Sequence, residues 1–159
     1  MLKKMLDRLF SPLPFAIVSL FFIDRLSKVL VDHYLELGEY IRIFPGLNIL
    51  LAYNTGAAFS FLSDASGWQQ TFFIILGLIV SGIIIFWLQS TPKAQKIERI
   101  GLMLILSGAI GNLYDRIQYG FVIDFIDVYY ANLHWPTFNI ADSAICVGAG
   151  LLLVRTIKK

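Results

Sequence analysis

Four long apolar stretches divide the chain, and each is close to the ~20 residues that a helix needs to cross a membrane. They run over residues 13–31, 70–88, 100–117 and 139–155. The second is uncharged throughout, whereas Asp24, Arg25 and Lys28 interrupt the first. The pattern predicts four transmembrane helices, and the length of 159 residues has room for one domain over residues 1–159.

The segment after the first apolar stretch is typical of strands rather than of a helix. Ile41, Ile43 and the run over residues 47–51 are β-prone, and Pro45-Gly46 predicts a turn between them. We therefore expect a small sheet that lies on the outer surface of the membrane.

The segment between the third and fourth stretches, residues 121–138, is rich in aromatic residues suited to the headgroup layer. We expect a short amphipathic helix there, lying in the interface. The predicted fold class is an all-α membrane protein with a small β element.

Composition supports a membrane setting and excludes several classes of function. Hydrophobic residues make up 57% of the chain and charged residues 15%, against roughly 25% charged in an average soluble domain. A net charge of +2, without a basic run, argues against nucleic acid as a partner. Cys146 has no cysteine to pair with, and His33 and His134 lack metal-site spacing. We expect no metal and no cofactor.

The distribution of Lys and Arg predicts the orientation of the chain. Nine of these residues lie in the N-terminal tail, the loop between the second and third stretches and the C-terminal end, whereas the two opposite segments contain only Arg42. Both termini are therefore expected in the cytoplasm. The first stretch could instead belong to a cleaved signal peptide, but no small-residue cleavage site follows it, and we interpret it as a retained span.

Polar side chains recur on one face of the third predicted helix. Gly108, Asn112 and Arg116 are spaced by four residues and share that face, with Asp115 on its flank. Charged groups at membrane depth cost about 2.5–3.5 kcal/mol on insertion scales and are usually functional. The alternative is a structural role, in which Asn112 bonds a neighbouring helix and Arg116 either pairs with Asp115 or extends outward to the membrane surface.

Two aspartates carry the candidate chemistry. Asp142 lies three residues after Asn139 at the start of the fourth span, where Asn139 could equally be a helix cap. Asp124 lies among four apolar neighbours beyond the third span, on the same side of the membrane. Two carboxyl groups in contact share a proton, so one can activate water while the other polarises a carbonyl. This arrangement would hydrolyse an amide, with Asn and Arg side chains to orient the substrate.

Two further clusters lie toward the same side. Asp24 and Lys28 are spaced for an ion pair on the first span. Asn54 and Gly56, within Asn54-Thr55-Gly56-Ala57-Ala58-Phe59, close the extended segment. Each cluster has a structural alternative, a helix-stabilising pair and a plain turn respectively.

These features are arranged in five blocks that resemble bacterial lipoprotein signal peptidase, or signal peptidase II, over essentially the whole chain. The blocks are Asp24-Arg25-Leu26-Ser27-Lys28, Asn54-Thr55-Gly56-Ala57-Ala58-Phe59, Gly108-Ala109-Ile110-Gly111-Asn112-Leu113-Tyr114-Asp115-Arg116, Val122-Ile123-Asp124-Phe125 and Phe138-Asn139-Ile140-Ala141-Asp142. Any block alone is a weak signal, but five in order between four spans are a strong one.

The resemblance implies an aspartic endopeptidase of the bacterial inner (plasma) membrane that cuts prolipoproteins before a diacylglyceryl-modified cysteine. It implies Asp124 and Asp142 as the catalytic pair. By position, Asn54, Asn112, Arg116 and Asn139 match polar residues of the family's substrate pocket, and Asp24 with Lys28 matches a supporting pair. It further implies an outer β-cradle, an interfacial helix and inhibition by globomycin. A monomer in contact with membrane lipids is expected.

Two functions of other classes also fit an apolar chain with buried acids. A proton-coupled transporter or channel subunit uses intramembrane acids as relays, although such proteins usually show internal repeats and broken helices. A non-catalytic assembly factor that binds lipid or lipoprotein would need the pocket but not both acids. The sequence has neither the His-Glu-x-x-His of a metalloprotease nor a rhomboid-type Gly-x-Ser-Gly.

Overall fold

The computed structural model describes residues 12–56 and 67–157, which form four helices and a small sheet. The helices are α1 (Pro12–Tyr34), α2 (Trp68–Ser90), α3 (Lys96–Tyr119) and α4 (Ile140–Ile157). The strands are β1 (Tyr40–Phe44), β2 (Leu47–Asn54), β3 (Val122–Tyr130) and β4 (Leu133–His134). Residues 57–59 of the predicted Asn54 block, the basic N-terminal tail and the last two lysines lie outside the described residues.

The helices occur where the apolar stretches predict them, but they differ in character. By length and composition, α2, α3 and α4 could each cross a membrane. α1 is as long as α2, with 23 residues, but it does not qualify as a candidate span. α3 is the central helix, since it packs against α1, α2 and α4.

Close contact between α3 and α4 depends on glycine. A Cβ on Gly108 would collide with the backbone carbonyl of Ala141 and lie 2.8 Å from Ile145 Cγ1. A Cβ on Gly101 would lie 2.9 Å from the carbonyl oxygen of Gly148. The absence of a side chain at Gly108 therefore permits close approach of the two helices, which brings Asn112, one turn later, against the start of α4.

The four strands form one antiparallel sheet in the order β1-β2-β3-β4. The predicted β1–β2 hairpin is confirmed, with the turn at Pro45-Gly46, where Gly46 has a φ of 99° that favours glycine. β2 carries an irregularity between Ile49 and Ala52 where it pairs with β3.

The prediction of a short amphipathic helix within residues 121–138 is wrong. Val122–Tyr130 is a nine-residue strand, followed by the two-residue strand β4. Its sequence, VIDFIDVYY, is rich in β-branched and aromatic residues, which favour a strand. The edge of β2 also supplies backbone partners for β3.

The sheet is fixed to the ends of the helices. Gly120, with a φ of 85°, ends α3 in the left-handed conformation, and β3 begins two residues later. Ile123 of β3 packs with Leu51 of β2 and Leu35 after α1 in one buried cluster. The start of β3 is therefore held beside the last turn of α3.

Candidate active site

Asp124 and Asp142 are brought together by amide side chains. Asp124 lies on β3, and its two carboxyl oxygens accept hydrogen bonds from Asn139 Nδ2 at 2.7 Å and Asn54 Nδ2 at 2.9 Å. Asp142 lies in the first turn of α4, and its Oδ1 accepts from Asn112 Nδ2 at 2.7 Å. Asn139 touches Asp124 and Asn112, so one continuous network links the two carboxyl groups.

Asn139 and Asp142 also cap α4. The backbone N–H of Asp142 donates to Asn139 Oδ1 at 2.9 Å, and the N–H of Asn139 donates to Asp142 Oδ2 at 3.2 Å. This reciprocal pair is a capping box with Asp in place of the usual Glu or Gln. The capping role does not exclude a role in the site, because the Asn139 amide and the Asp142 carboxyl also belong to the network that links the two aspartates.

Asn112 has a defined amide orientation. Its Oδ1 accepts from Lys28 Nζ at 3.1 Å and from Asn139 Nδ2 at 3.2 Å. Because these donors require the oxygen on their side, the Asn112 nitrogen points to Asp142.

A buried charge network lies beneath Asn112. Lys28 Nζ is 2.8 Å from Asp24 Oδ2 and 2.8 Å from Asp115 Oδ2, and the Lys28 side chain is fully buried. Asp115 also pairs with Arg25, and Asp24 Oδ1 accepts from the N–H of Ala141 at 2.9 Å, in the first turn of α4. The predicted Asp24–Lys28 pair is present.

Sequence reasoning missed part of this network. It left Asp115 and Arg25 out of the site, and the alternative in which Arg116 pairs with Asp115 is wrong. Arg25 follows Asp24 directly, and Asp115 lies three residues after Asn112. The clustering of charged residues within apolar stretches was therefore the signal that could have added Arg25 and Asp115 to the site. This signal does not indicate which of the charged groups pair.

Arg116 and Gly56 form another edge of the site. Arg116 Nη2 donates to the Gly56 carbonyl at 2.9 Å, and Nη1 donates to the Asn112 carbonyl at 3.4 Å. The guanidinium lies over the Phe73 ring at 5.3 Å from its centroid. Gly56 N–H in turn donates to Asn54 Oδ1 at 3.0 Å, which orients the Asn54 amide toward Asp124. All nine predicted site residues thus belong to one connected set.

The environment of Asp124 favours its protonated form. Its burial, followed by the negative charge of Asp142, raises its pKa from 3.8 to about 7, although Asn54, Asn139 and Lys28 act in the opposite direction. Near neutral pH, Asp124 is therefore protonated in a substantial fraction of molecules. Within residues 12–56 and 67–157, no three His, Cys, Asp or Glu side chains cluster in a way that would hold a metal ion.

The family model for signal peptidase (SPase) II matches residues 16–158. The chain belongs to this family. The predicted resemblance is therefore confirmed, and so is the prediction of a peptidase.

Curated relatives are similar to this protein over most of the chain. The lipoprotein signal peptidase of Alteromonas mediterranea is 46% identical over 138 residues, covering 87% of this chain and 76% of that protein. The lipoprotein signal peptidase of Coxiella burnetii (strain RSA 331 / Henzerling II) is 48% identical over 138 residues, covering 87% and 85% respectively.

The fold of this signal peptidase II also matches a solved structure. A bacterial membrane enzyme determined by the in meso method has a TM-score of 0.85 and 28% identity, with coverage of 94% of this chain and 89% of that one. The helical fold with a small sheet is therefore the fold of a known membrane enzyme.

Proposed function

We propose that this signal peptidase II is an aspartic endopeptidase that removes signal peptides from prolipoproteins, cutting before a diacylglyceryl-modified cysteine. The observation that carries the proposal is the pair Asp124 and Asp142, linked by Asn112 and Asn139 and supplied with a donor on every carboxyl oxygen. The named relatives are lipoprotein signal peptidases, which supports the prolipoprotein as substrate.

The chemistry follows from the different environments of the two acids. Asp142 takes a proton from a water molecule, whose oxygen attacks the carbonyl carbon of the scissile bond. Protonated Asp124 donates its proton to the carbonyl oxygen, so a neutral tetrahedral diol forms. The diol collapses as Asp124 takes back a hydroxyl proton and Asp142 passes its proton to the leaving nitrogen. The carbon–nitrogen bond then breaks, and both carboxyl groups return to their starting state.

The surrounding polar groups would handle the substrate. Arg116 and the amide groups of Asn54 and Asn112 border the dyad and can hold peptide carbonyls or the developing negative charge. Lys28 and Asp24 act through Asn112 and the start of α4 rather than on the substrate itself.

We further propose that α1 also crosses the membrane, which brings the number of spans to four. Its charged residues Asp24 and Lys28 are 1% and 0% exposed and are neutralised inside the bundle, as intramembrane charges usually are. Its exposed positions include Phe15, Phe22 and Leu26, which suit contact with lipid. Hydropathy alone undervalues such a helix, because it counts charges that face inward.

The orientation predicted by Lys and Arg would place both termini in the cytoplasm and the sheet and dyad at the outer face of the bacterial inner (plasma) membrane. Because one chain supplies both aspartates and their partners, a monomer suffices for catalysis. We expect a globomycin-type inhibitor to bind at the dyad.

The test is cleavage of a purified, lipid-modified prolipoprotein by Asp124→Asn and Asp142→Asn variants. Each is expected to lose activity by about 10²–10⁴-fold or more, the usual contribution of acid–base groups, while it remains folded in detergent. Asp32→Asn is the matched control, since Asp32 is exposed on α1 and bonds only Tyr53 among the described residues.

Full activity in either dyad variant would contradict the proposal. Proton flux into liposomes that disappears in the same variants, with no cleavage by the parent, would instead favour the transporter.

A further inference from the structure

A second polar site lies on the face of the sheet turned away from Asp124. Successive side chains of a strand point to opposite faces, so Asp127 and Asp124 of β3 face opposite ways. Asn48 of β2 lies directly opposite Asp127, and Arg42 of β1 lies directly opposite Asn48. A cavity of about 420 Å³ opens over this row, with Tyr40, Leu50 and Tyr129 in its walls.

The row has the construction of a binding site. Asn48 and Asp127 are 6% and 4% exposed. Asn48 Nδ2 donates to Asp127 Oδ2 at 2.7 Å, and His134 Nδ1 lies 2.8 Å from Asp127 Oδ1. Asn48 Oδ1 is buried but accepts no hydrogen bond from the described residues, and buried carbonyl groups are normally paired. Because Asn48 lines the cavity, this unpaired oxygen is an acceptor just beneath the cavity wall and suits a ligand with an N–H group.

The charges of the row define the ligand more closely. The exposed Arg42 guanidinium offers donors to an anion, and the buried Asp127 carboxylate attracts a cation toward Asn48. Opposite residues on neighbouring strands have Cβ atoms about 5 Å apart, so the two binding groups are close together. A small zwitterion, with an anion and a primary ammonium on a short linker, complements both. The Tyr40 and Tyr129 rings are suitable walls for the cationic end.

The position of the sheet indicates where such a zwitterion comes from. β3 begins three residues after α3 ends, and α4 follows β4 closely, so the sheet lies at the end of the membrane-crossing helices. It also exposes large apolar side chains, among them Ile41, Ile43, Phe44, Tyr130 and Leu133. These features place the cavity among phospholipid headgroups.

We propose that this cavity binds the phosphoethanolamine headgroup of a membrane phospholipid. The phosphate lies on Arg42, and the ammonium donates to Asn48 Oδ1 beside Asp127. Choline has no N–H to donate to Asn48 Oδ1, and phosphatidylglycerol has no cation to place beside Asp127. Neither headgroup therefore makes all the contacts that phosphoethanolamine makes. The site is independent of the dyad and does not rest on the proposed peptidase mechanism.

The experiment titrates the purified full chain in detergent with short-chain phosphatidylethanolamine, phosphatidylcholine and phosphatidylglycerol. Thermal denaturation and native mass spectrometry report binding, since a ligand that binds the folded state raises the Tm. Phosphatidylethanolamine is expected to raise the Tm and to remain bound as a single retained lipid, whereas the other two do neither. Glycerophosphoethanolamine, which lacks acyl chains, is expected to bind more weakly. Equal binding of phosphatidylglycerol, or of glycerophosphoethanolamine, would overturn the lipid assignment.

Variants test the row itself. Arg42→Gln is expected to weaken phosphatidylethanolamine binding by about ten-fold or more, the value of a charge-assisted hydrogen bond, and Arg42→Lys to retain most of it. Asp127→Asn should also weaken binding, and Lys93→Gln, which removes a charge from the loop between α2 and α3, should not. Unchanged binding by Arg42→Gln would refute the site even if Asp127→Asn fails to fold. Prolipoprotein cleavage in detergent is expected to stay unchanged in Arg42→Gln, and a loss there would tie the cavity to catalysis instead.

Discussion

Lys28 shows how a single side chain can set the geometry of a dyad it does not touch. It donates to Asn112 Oδ1, and this contact turns the Asn112 nitrogen toward Asp142. It also lies between the carboxylates of Asp24 and Asp115. Lys28 therefore has an electrostatic role and a positioning role, and these can be separated by mutation.

For Lys28→Met we expect a loss of stability of about 3–5 kcal/mol, because the variant leaves Asp24 buried without its cation. The double variant Lys28→Met/Asp24→Asn should recover part of this stability but stay poorly active, since Asn112 has lost the donor that fixes its amide. Thermal denaturation and prolipoprotein cleavage measure the two effects. Full activity in the double variant would show that Lys28 does not position Asn112.

The pKa of Asp124 predicts how stability depends on pH. The pKa is raised in the folded protein from 3.8 to about 7, so the bound proton favours the folded state. This contribution is fully present below about pH 4 and is lost as the pH rises through about 7, with a total on the order of a few kcal/mol. We expect the Tm to fall from pH 5 to pH 8 in the parent, and to fall less in Asp124→Asn.

The same protonation predicts the pH dependence of catalysis. Because Asp124 acts as the acid, kcat is expected to decrease as the pH rises above about 7. If the Tm of the parent and that of Asp124→Asn fell equally between pH 5 and pH 8, this result would contradict the assignment of the proton to Asp124.

At the scale of single residues, the sequence indicated which side chains would come together but not all of the ion pairs that they form. Spacing placed Asn112 and Arg116 on one helix face. The apolar neighbours of Asp124 and the place of Asp142 at a predicted helix start singled out the two aspartates, and the resemblance added the prolipoprotein substrate. Local spacing could not show that Asp115 pairs with Arg25, since the two lie 90 positions apart. Such pairs depend on how helices dock, which a single sequence does not encode in its local pattern.

At the scale of elements, the contact between α3 and α4 determines whether the site assembles. Asn112 reaches Asp142 because Gly108, one turn earlier, allows the backbones to touch. A methyl group at this position meets backbone rather than a flexible side chain, so the helices have to separate.

Gly108→Ala is therefore expected to lose about 1–3 kcal/mol of stability and most of the cleavage activity. Gly150→Ala on α4 and Gly82→Ala on α2 are matched controls, since an added Cβ there would meet nothing within 4 Å. Thermal denaturation and cleavage by the three variants check the prediction. Wild-type activity in Gly108→Ala would mean that the interface can adapt without moving Asn112.

The strand β3 is the element that sequence reasoning did not predict. The aromatic residues of segment 121–138 fit an interfacial helix as well as a strand, and periodicity over so few residues does not separate the two. The pairing of β3 with β2 decides the outcome, and that partner lies about 70 residues earlier in the chain, as for Ala52 and Asp124. The β1–β2 hairpin was predictable because Pro45-Gly46 is a local turn signal.

At the scale of the whole molecule, the four apolar stretches predicted the helices well, because a helix long enough to cross a membrane needs about 20 consecutive apolar residues. α1 differs from the other three helices because it does not qualify as a candidate span, although its charged residues Asp24 and Lys28 are buried in the interior of the bundle. Whether it crosses the membrane decides the side on which the N-terminus lies.

Cysteine labelling tests this topology. In a Cys146→Ser background, Leu133→Cys between β3 and α4 should react with a membrane-impermeant maleimide in intact spheroplasts. Lys93→Cys between α2 and α3 should react only after lysis. Labelling of both positions, or of Lys93→Cys alone, in intact cells would contradict the proposed orientation.

The capping box at Asn139 and Asp142 has a consequence for the newly made chain. The carboxylate that closes the first turn of α4 is also half of the dyad, so a chain whose last helix has not yet formed lacks a working pair. Asp124 likewise needs β3 in place beside Asn54 and Asn139. On the proposed mechanism, proteolytic activity would therefore begin only once both α4 and β3 have formed.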